Sequence, residues 1–145
     1  RGIRLKDDKD EVIGMISVND MDSDILVVSK NGYGKRSSLE DYRITNRGGK
    51  GVKTISITEK TGKLVSIKNV SDNDDLMIIN KSGIAIRMEV ASLRVMGRAT
   101  QGVKLINLKN TDSIAAVAKV VHEEDEVTDL EDIDVIEENK EENNT

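Results

Sequence analysis

Apolar runs of four to seven residues, separated by polar and glycine-bearing turns, divide the first 121 residues into strand-sized pieces. Ile25-Leu26-Val27-Val28 is followed by the turn Lys30-Asn31-Gly32, and Leu76-Met77-Ile78-Ile79 by Lys81-Ser82-Gly83. Each pair predicts a β-hairpin, with return strands at residues 34–37 and 84–87. Val52, Ile55 and Ile57 predict a third strand, and Leu64, Val65 and Ile67 a fourth, divided by Glu59-Lys60-Thr61-Gly62. In the later copy, residues 103–108 and 114–120 take those parts. The apolar run at 12–18 stands where 64–70 and 114–120 stand.

The pattern is a repeat. Residues 24–60 laid on 75–111 without a gap give identities at Asp24, Lys30, Gly32, Arg36, Arg43, Arg47, Gly51, Val52, Lys53 and Ile55. These concentrate on glycines and cations, which points to shared turns and a shared charged surface. The period is 51 residues with four short strands in each unit, the signature of an all-β, propeller-like array of antiparallel blades. Arg1-Gly2-Ile3-Arg4-Leu5 matches residues 50–54 and 101–105, so the sequence is expected to enter partway through a repeat. The expected division is the end of a preceding blade at 1–23, a complete blade at 24–74, a last blade at 75–121 and an acidic tail at 122–145. Two units and a fraction make an incomplete array.

Charge sharpens this picture. The net of −5 conceals 21 Lys and Arg against 15 Asp and Glu in residues 1–122, and 12 acids against one Lys in 123–145. A basic body thus carries an acidic tail, and each field acts over roughly a Debye length, ~8–10 Å. The density of acids predicts a disordered tail. Its charges either aid solubility or compete with an anionic partner for the basic body. Without Cys there is no disulfide, thiolate metal site or cysteine nucleophile. With one His and no paired carboxylates in a pocket context, an active site within the chain is not expected, nor is a cofactor or a metal. His122, at the tail junction, is assigned no role. No run approaches the ~20 apolar residues of a membrane span and no secretory leader is recognisable, so a cytoplasmic location without membrane partners is expected. The only aromatics are Tyr33 and Tyr42, so Ile, Val, Leu and Met must build the core, and stacking platforms for single strands are lacking. Tyr42 is expected to be a packing residue.

The candidate chemistry lies in two basic loops. Arg-Ile-Thr-Asn-Arg-Gly-Gly-Lys-Gly-Val at 43–52 returns as Arg-Val-Met-Gly-Arg-Ala-Thr-Gln-Gly-Val at 94–103. Arg36, Arg43 and Arg47 recur at the same spacing as Arg87, Arg94 and Arg98. In a radial array equivalent positions of neighbouring blades fall side by side, so these cations form a stripe on the rim. Duplex DNA presents one charge every ~1.7 Å of axis, and Lys or Arg that neutralise phosphates bind it without reading sequence. The candidate contacts are Lys35, Arg36, Arg43, Arg47, Lys50, Lys53, Arg87, Arg94, Arg98 and Lys104. The glycines at 48, 49 and 51 would let backbone N–H groups approach phosphate. A Gly-Gly-Lys-Gly stretch by itself is more often a mobile turn, and here it lacks the Ser or Thr that a P-loop needs after its Lys. Surface cations in β-proteins commonly serve solvation alone. Recurrence in register, which solvation does not require, favours the binding reading over a protein-binding propeller.

Asn31-Gly32-Tyr33-Gly34-Lys35-Arg36, Asn46-Arg47-Gly48-Gly49-Lys50-Gly51-Val52 and Gly97-Arg98-Ala99-Thr100-Gln101-Gly102-Val103, in this order and spacing, resemble the C-terminal DNA-wrapping domain of DNA gyrase A. The resemblance spans essentially all of residues 1–121. It implies a β-pinwheel of four-stranded blades whose outer rim wraps duplex DNA, here represented by the last blades and the tail. It also implies bacterial, nucleoid-associated work with the rest of gyrase A and with gyrase B in an A2B2 assembly. There an ATP-driven type II topoisomerase introduces negative supercoils, its catalytic Tyr, ATP and Mg lying outside this chain. The family's signature box, Gln-Arg-Arg-Gly-Gly-Lys-Gly, belongs to its first blade. Asn46 to Gly51 is a degenerate relative of it in a late blade and is not assigned the box's special role. The equivalent domain of topoisomerase IV is the near alternative.

Overall fold

The structure, a computed structural model, describes residues 1–121; the expectation of a disordered tail lies outside the described residues. Seven strands are found there: β1 (Asp24–Ser29), β2 (Tyr33–Ser38), β3 (Leu64–Val70), β4 (Asp74–Asn80), β5 (Ala85–Glu89), β6 (Val103–Lys104) and β7 (Ile114–Val121). They form two antiparallel sheets, in the orders β3-β1-β2-β6 and β5-β4-β7. Both predicted hairpins are therefore present, together with the strand predicted to close each unit. The likeness of the two units extends to irregularities, since a register shift falls between Val28 and Ser29 against β3 and between Ile79 and Asn80 against β7. At these paired positions a side chain closes the hairpin. Ser29 Oγ donates to the Tyr33 carbonyl at 3.0 Å, and Asn80 Oδ1 accepts from the Ile84 N–H at 2.7 Å.

β1 is apolar on both faces because both faces are covered. Leu26 and Val28 point into the main core, with Val70, Leu76, Ile78, Val90, Leu105, Ile106, Ile114 and Val117, between the two sheets. Ile25 and Val27 point the other way and meet Ile55, with Leu39, Tyr42, Leu64 and Ile67 packed around them. Such burial contributes about 1.5–3 kcal/mol for each large aliphatic side chain. Aliphatic residues alone fill the main core, as the shortage of aromatics requires. Tyr42 packs against the smaller cluster as expected, its hydroxyl sharing a 2.5 Å hydrogen bond with Thr54 Oγ1.

The third strand of each unit differs from expectation. Residues 52–57 form no strand, and of 103–108 only Val103 and Lys104 pair, with Gly34 and Tyr33 of the preceding hairpin. Gly102, at φ +81°, permits that pairing, since a Cβ there would stand 2.5 Å from the Gly34 carbonyl oxygen. Only glycine lets the chain turn down onto β2 at that distance. Residues 52–57 have no such hairpin beside them and are held by the burial of Ile55 and by the Ser56 bonds to Thr100 and Ala99 instead. Residues 12–18 also form no strand, although Gly14 lies against the Ile67 side chain. β3 has β1 for a partner and β7 has β4, whereas among the described residues nothing plays that part for 12–18. Sheet and repeat boundaries thus do not coincide: the second repeat donates β6 to the sheet of the first.

Two cations are folded into this junction. Arg36 is 7% exposed, and its Nε donates to Asp24 at 2.5 Å while its Nη1 donates to Asp72 at 2.6 Å and to the Val90 carbonyl at 3.3 Å. Burial alone would lower its pKa, but the hydrogen bonds to Asp72 and Asp24 outweigh that and raise it. Lys35, on the opposite face of β2, is 1% exposed, and its Nζ donates to the Gly97 carbonyl at 2.6 Å. Burial lowers its pKa from 10.5 to about 8, with Asp41 opposing the shift and Arg98 and Lys53 adding to it.

Replacing Arg36 by Met should destabilise the chain by about 3–5 kcal/mol, measured by urea unfolding, because Asp24 is left largely buried without its guanidinium. The Lys35 shift makes a pH prediction. Below pH ~8 the lysine is protonated in both folded and unfolded chains and contributes no pH dependence. Between about 8 and 10.5 the unfolded chain holds the proton more tightly, so stability rises with pH. Melting temperatures taken across that window should move in favour of the unsubstituted chain relative to Lys35→Met.

Candidate nucleic-acid interface

The two basic loops occupy equivalent places but are anchored differently. In the first, Gly48 and Gly51 lie at φ +80° and +81°, which bends the chain back on itself without steric strain. The Gly48 N–H donates to the Gly2 carbonyl at 2.8 Å, and the Gly49 carbonyl accepts from the Arg4 N–H at 2.9 Å. Gly48 therefore uses its N–H to dock residues 2–4, which removes that one N–H from the expected backbone cradle for phosphate. The side chains of Arg43, Arg47, Lys50 and Lys53 are left exposed.

The second loop lies against the continuation of the first. Arg98 Nη1 donates to the Lys53 carbonyl at 2.8 Å, the Ser56 N–H donates to the Thr100 carbonyl at 3.1 Å, and Ser56 Oγ donates to the Ala99 carbonyl at 3.0 Å. Gln101 Nε2 adds a bond to Thr58 Oγ1 at 3.1 Å. On its other flank the Met96 N–H donates to the Arg36 carbonyl at 2.7 Å. Arg94 and Lys104 are exposed and Arg98 is half-buried. The structure thus joins the second loop to Lys53 and Ser56, just beyond the first, while Arg43, Arg47, Lys50, Arg94 and Lys104 stand exposed along the same stretches.

Three of the predicted contacts leave the set or change character. Lys35 and Arg36 are interior groups and cannot reach a phosphate without unfolding the junction. Arg87 is on the surface, with its Nε 2.6 Å from Asp75. Arg36 with Asp24 and Arg87 with Asp75 are the same ion pair in two repeats, each spanning 12 residues across a hairpin. Their recurrence has a structural cause, diagonal pairing on one face of an antiparallel ladder, so part of the regular charge spacing belongs to folding. Two exposed cations beside the first loop lie outside the sequence-predicted set. Arg1 and Arg4 flank the Gly2 and Ile3 backbone that docks on Gly48 and Gly49. The signal for them is the match of residues 1–5 to 50–54, in which they stand for Lys50 and Lys53.

Among the described residues no group of His, Cys, Asp and Glu could hold a metal, and no helix is long and apolar enough to cross a membrane. A cavity of about 270 Å³ lies between residues 13–15, β3 and the start of β7, away from the basic loops. What the loops offer chemically is a set of exposed guanidinium and ammonium groups on a fixed support, suited to a row of phosphates.

Residues 1–19, 23–71 and 74–120 match the family described as DNA gyrase C-terminal domain, beta-propeller. DNA gyrase A of Staphylococcus aureus (strain MRSA252) is 45% identical over 143 residues, which covers 97% of this chain and 16% of that protein. The same protein of strain NCTC 8325 / PS 47 is 45% identical over 130 residues, or 88% of this chain and 14% of the relative. The chain therefore spans about a sixth of the length of the first of these relatives. Among solved structures, a DNA gyrase A C-terminal domain superposes with a TM-score of 0.75 at 29% identity, over 83% of this chain and 40% of that one. The C-terminal domain of a DNA topoisomerase IV gives a TM-score of 0.76 at 18% identity, over 83% and 38%, a likeness of fold. With the repeat, the superposition and the family match in agreement, the chain belongs to the DNA gyrase C-terminal domain family of β-propellers.

Proposed function

We propose that this chain binds duplex DNA without sequence preference along the two joined basic loops and helps to wrap it, as part of the C-terminal region of a DNA gyrase A. The observation that carries the reading is the contact between the loops. The bond from Arg98 to the Lys53 carbonyl joins two cations of successive repeats, which supports reading the loops as one continuous surface. Each phosphate neutralised releases condensed counterions, which gives affinity independent of base sequence. Bending a 20–30 bp site costs of order 1–6 kcal/mol, and a continuous row of contacts offsets it. Arg1 and Arg4 extend the row beyond the first loop. Gyrase is favoured over topoisomerase IV by the 45% identity to gyrase relatives and by 29% against 18% identity among solved structures.

In the whole protein, wrapping would present a DNA segment for strand passage by an ATP-driven type II topoisomerase that introduces negative supercoils. The catalytic Tyr, the ATP site and Mg would lie in other parts of gyrase A and in gyrase B, within an A2B2 assembly in the bacterial cytoplasm at the nucleoid. The acidic stretch 123–145, with 12 Asp and Glu, would compete with DNA for the basic loops.

Affinity for a mixed-sequence duplex should fall about 10³-fold between ~50 and ~200 mM salt, measured by fluorescence anisotropy, and a flat salt profile would exclude the reading. Replacing Arg43, Arg47, Arg94 and Arg98 by Ala should reduce the slope of log K against log salt by about 3 to 4, with an unchanged far-UV spectrum. Removing residues 123–145 should tighten binding in a gel shift with linear and circular DNA. Equal affinity with and without them would leave those acids a solubility role.

A further inference from the structure

Among the cations of the two joined repeats, Lys35 is one that the proposed DNA surface leaves without a task. Its ammonium is enclosed: the residue is 1% exposed, on the face of β2 that looks toward the 97–100 turn of the next repeat. That turn is closed by the Thr100 N–H donating to the Gly97 carbonyl at 3.3 Å, and Thr100 Oγ1 donates to the same carbonyl at 3.0 Å. Lys35 Nζ brings a third donor to that carbonyl, at 2.6 Å, and lies 3.4 Å from Thr100 Oγ1. A solvent-facing turn of four residues has few ways to hold one shape, and a charged donor on its inward carbonyl is among the strongest. The cost of burying the amine argues for a task that an apolar residue cannot perform. The other repeat supports this: the position 51 residues on is Ile86, and among the described residues no strand covers β5 as β6 covers β2.

We propose that Lys35 is a positioning residue for the second DNA-contacting loop, fixing Arg98 of one repeat from the sheet of the repeat before it without touching DNA. The inference rests on the DNA-binding reading above. The turn carries Arg98 between its two anchored ends, Gly97 on Lys35 and Thr100 on Ser56. With the Lys35 bond lost, Met96 on the Arg36 carbonyl still holds the approach to the turn and Ser56 its exit, but the inward Gly97 carbonyl between them keeps only the donors of its own turn, so Arg98 loses its fixed direction. Asp41, Arg98 and Lys53 are the charged groups that act on the amine, and only the first attracts it. Its position therefore comes from the Gly97 carbonyl and not from an ion pair.

The test uses the full 145-residue chain and a mixed-sequence duplex of about 30 bp. Lys35→Met is combined separately with Arg94→Ala/Arg98→Ala and with Arg43→Ala/Arg47→Ala. Lys35→Met should weaken binding about 5- to 10-fold in the unsubstituted and Arg43/Arg47 backgrounds, and by less than about 2-fold once Arg94 and Arg98 are gone. An equal loss in both backgrounds, the mark of general destabilisation, would overturn the proposal, as would no loss in either. Should Lys35→Met fail to fold, Thr100→Val, which removes the hydroxyl that accepts from Lys35 Nζ at 3.4 Å, must show the same dependence on background in weaker form. Hydrogen exchange supplies an independent arm. Amides at 96–100 should exchange faster in either variant while those of β1 and β4 are unchanged, and an unchanged turn would refute the role. If the unsubstituted chain binds no duplex, the DNA reading falls first and takes the positioning role with it.

Discussion

The pairing of Tyr33 and Gly34 with Lys104 and Val103 is two residues long, yet the arrangement of the two repeats depends on it. It carries the second repeat's chain across to the first sheet, seats Leu105 and Ile106 in the common core, and brings the 94–102 loop down over β2. Gly34 and Gly102 permit this approach, since a Cβ on either would stand 2.5–2.6 Å from atoms of the other segment or of β1. Around that contact the hairpin from β1 to β2 is covered on both faces. β5, which receives no such strand among the described residues, keeps an alternating exposed pattern and leaves Arg87 at the surface.

This dependence explains why equivalent residues of the two hairpins acquire different surroundings. Tyr33–Ser38 reads Tyr-Gly-Lys-Arg-Ser-Ser, a sequence that would lie on a solvated edge if the hairpin stood alone. Covered by the following repeat, its Arg is drawn into Asp24, Asp72 and the Val90 carbonyl, and its Lys into the back of a loop. The energetics differ accordingly. A guanidinium shared by two carboxylates and a carbonyl is held in the charged state, whereas an ammonium with neutral acceptors is destabilised as a charge by burial and so titrates early.

Much of the fold was legible in the sequence because the information was local. The strands at 24–29, 64–70, 74–80 and 114–121 are apolar runs bounded by turn residues, and the period of 51 aligned one hairpin on the other. The exchanged strand was not legible, since no local pattern states which hairpin Val103 will meet. Residues 12–18 and 52–57 carry strand-like composition, but composition does not supply a hydrogen-bonding neighbour. In the candidate site, Arg43, Arg47 and Lys53 stand out through their recurrence as Arg94, Arg98 and Lys104, whereas the same recurrence misplaces Arg36 and leaves unread the pairing of Arg87 with Asp75. The 12-residue spacing of Asp24 to Arg36 and of Asp75 to Arg87 holds the correction, being a diagonal pair in the register that sets Leu26 opposite Arg36 and Met77 opposite Arg87.

The division of the Lys35 contact between two repeats bears on how such an array can change through descent. The donor sits in one copy of the unit and its acceptor, the Gly97 carbonyl, in the next, 62 positions along the chain. Duplicating a unit therefore copies one half of the contact into a setting where the other half has to be found anew. A hairpin that receives no such loop is freed from the obligation, and Ile86 stands in that place. Neighbouring units cannot drift independently while each shapes the outer surface of the other, so compensating substitutions in such a chain would be sought about one period away from the site they repair.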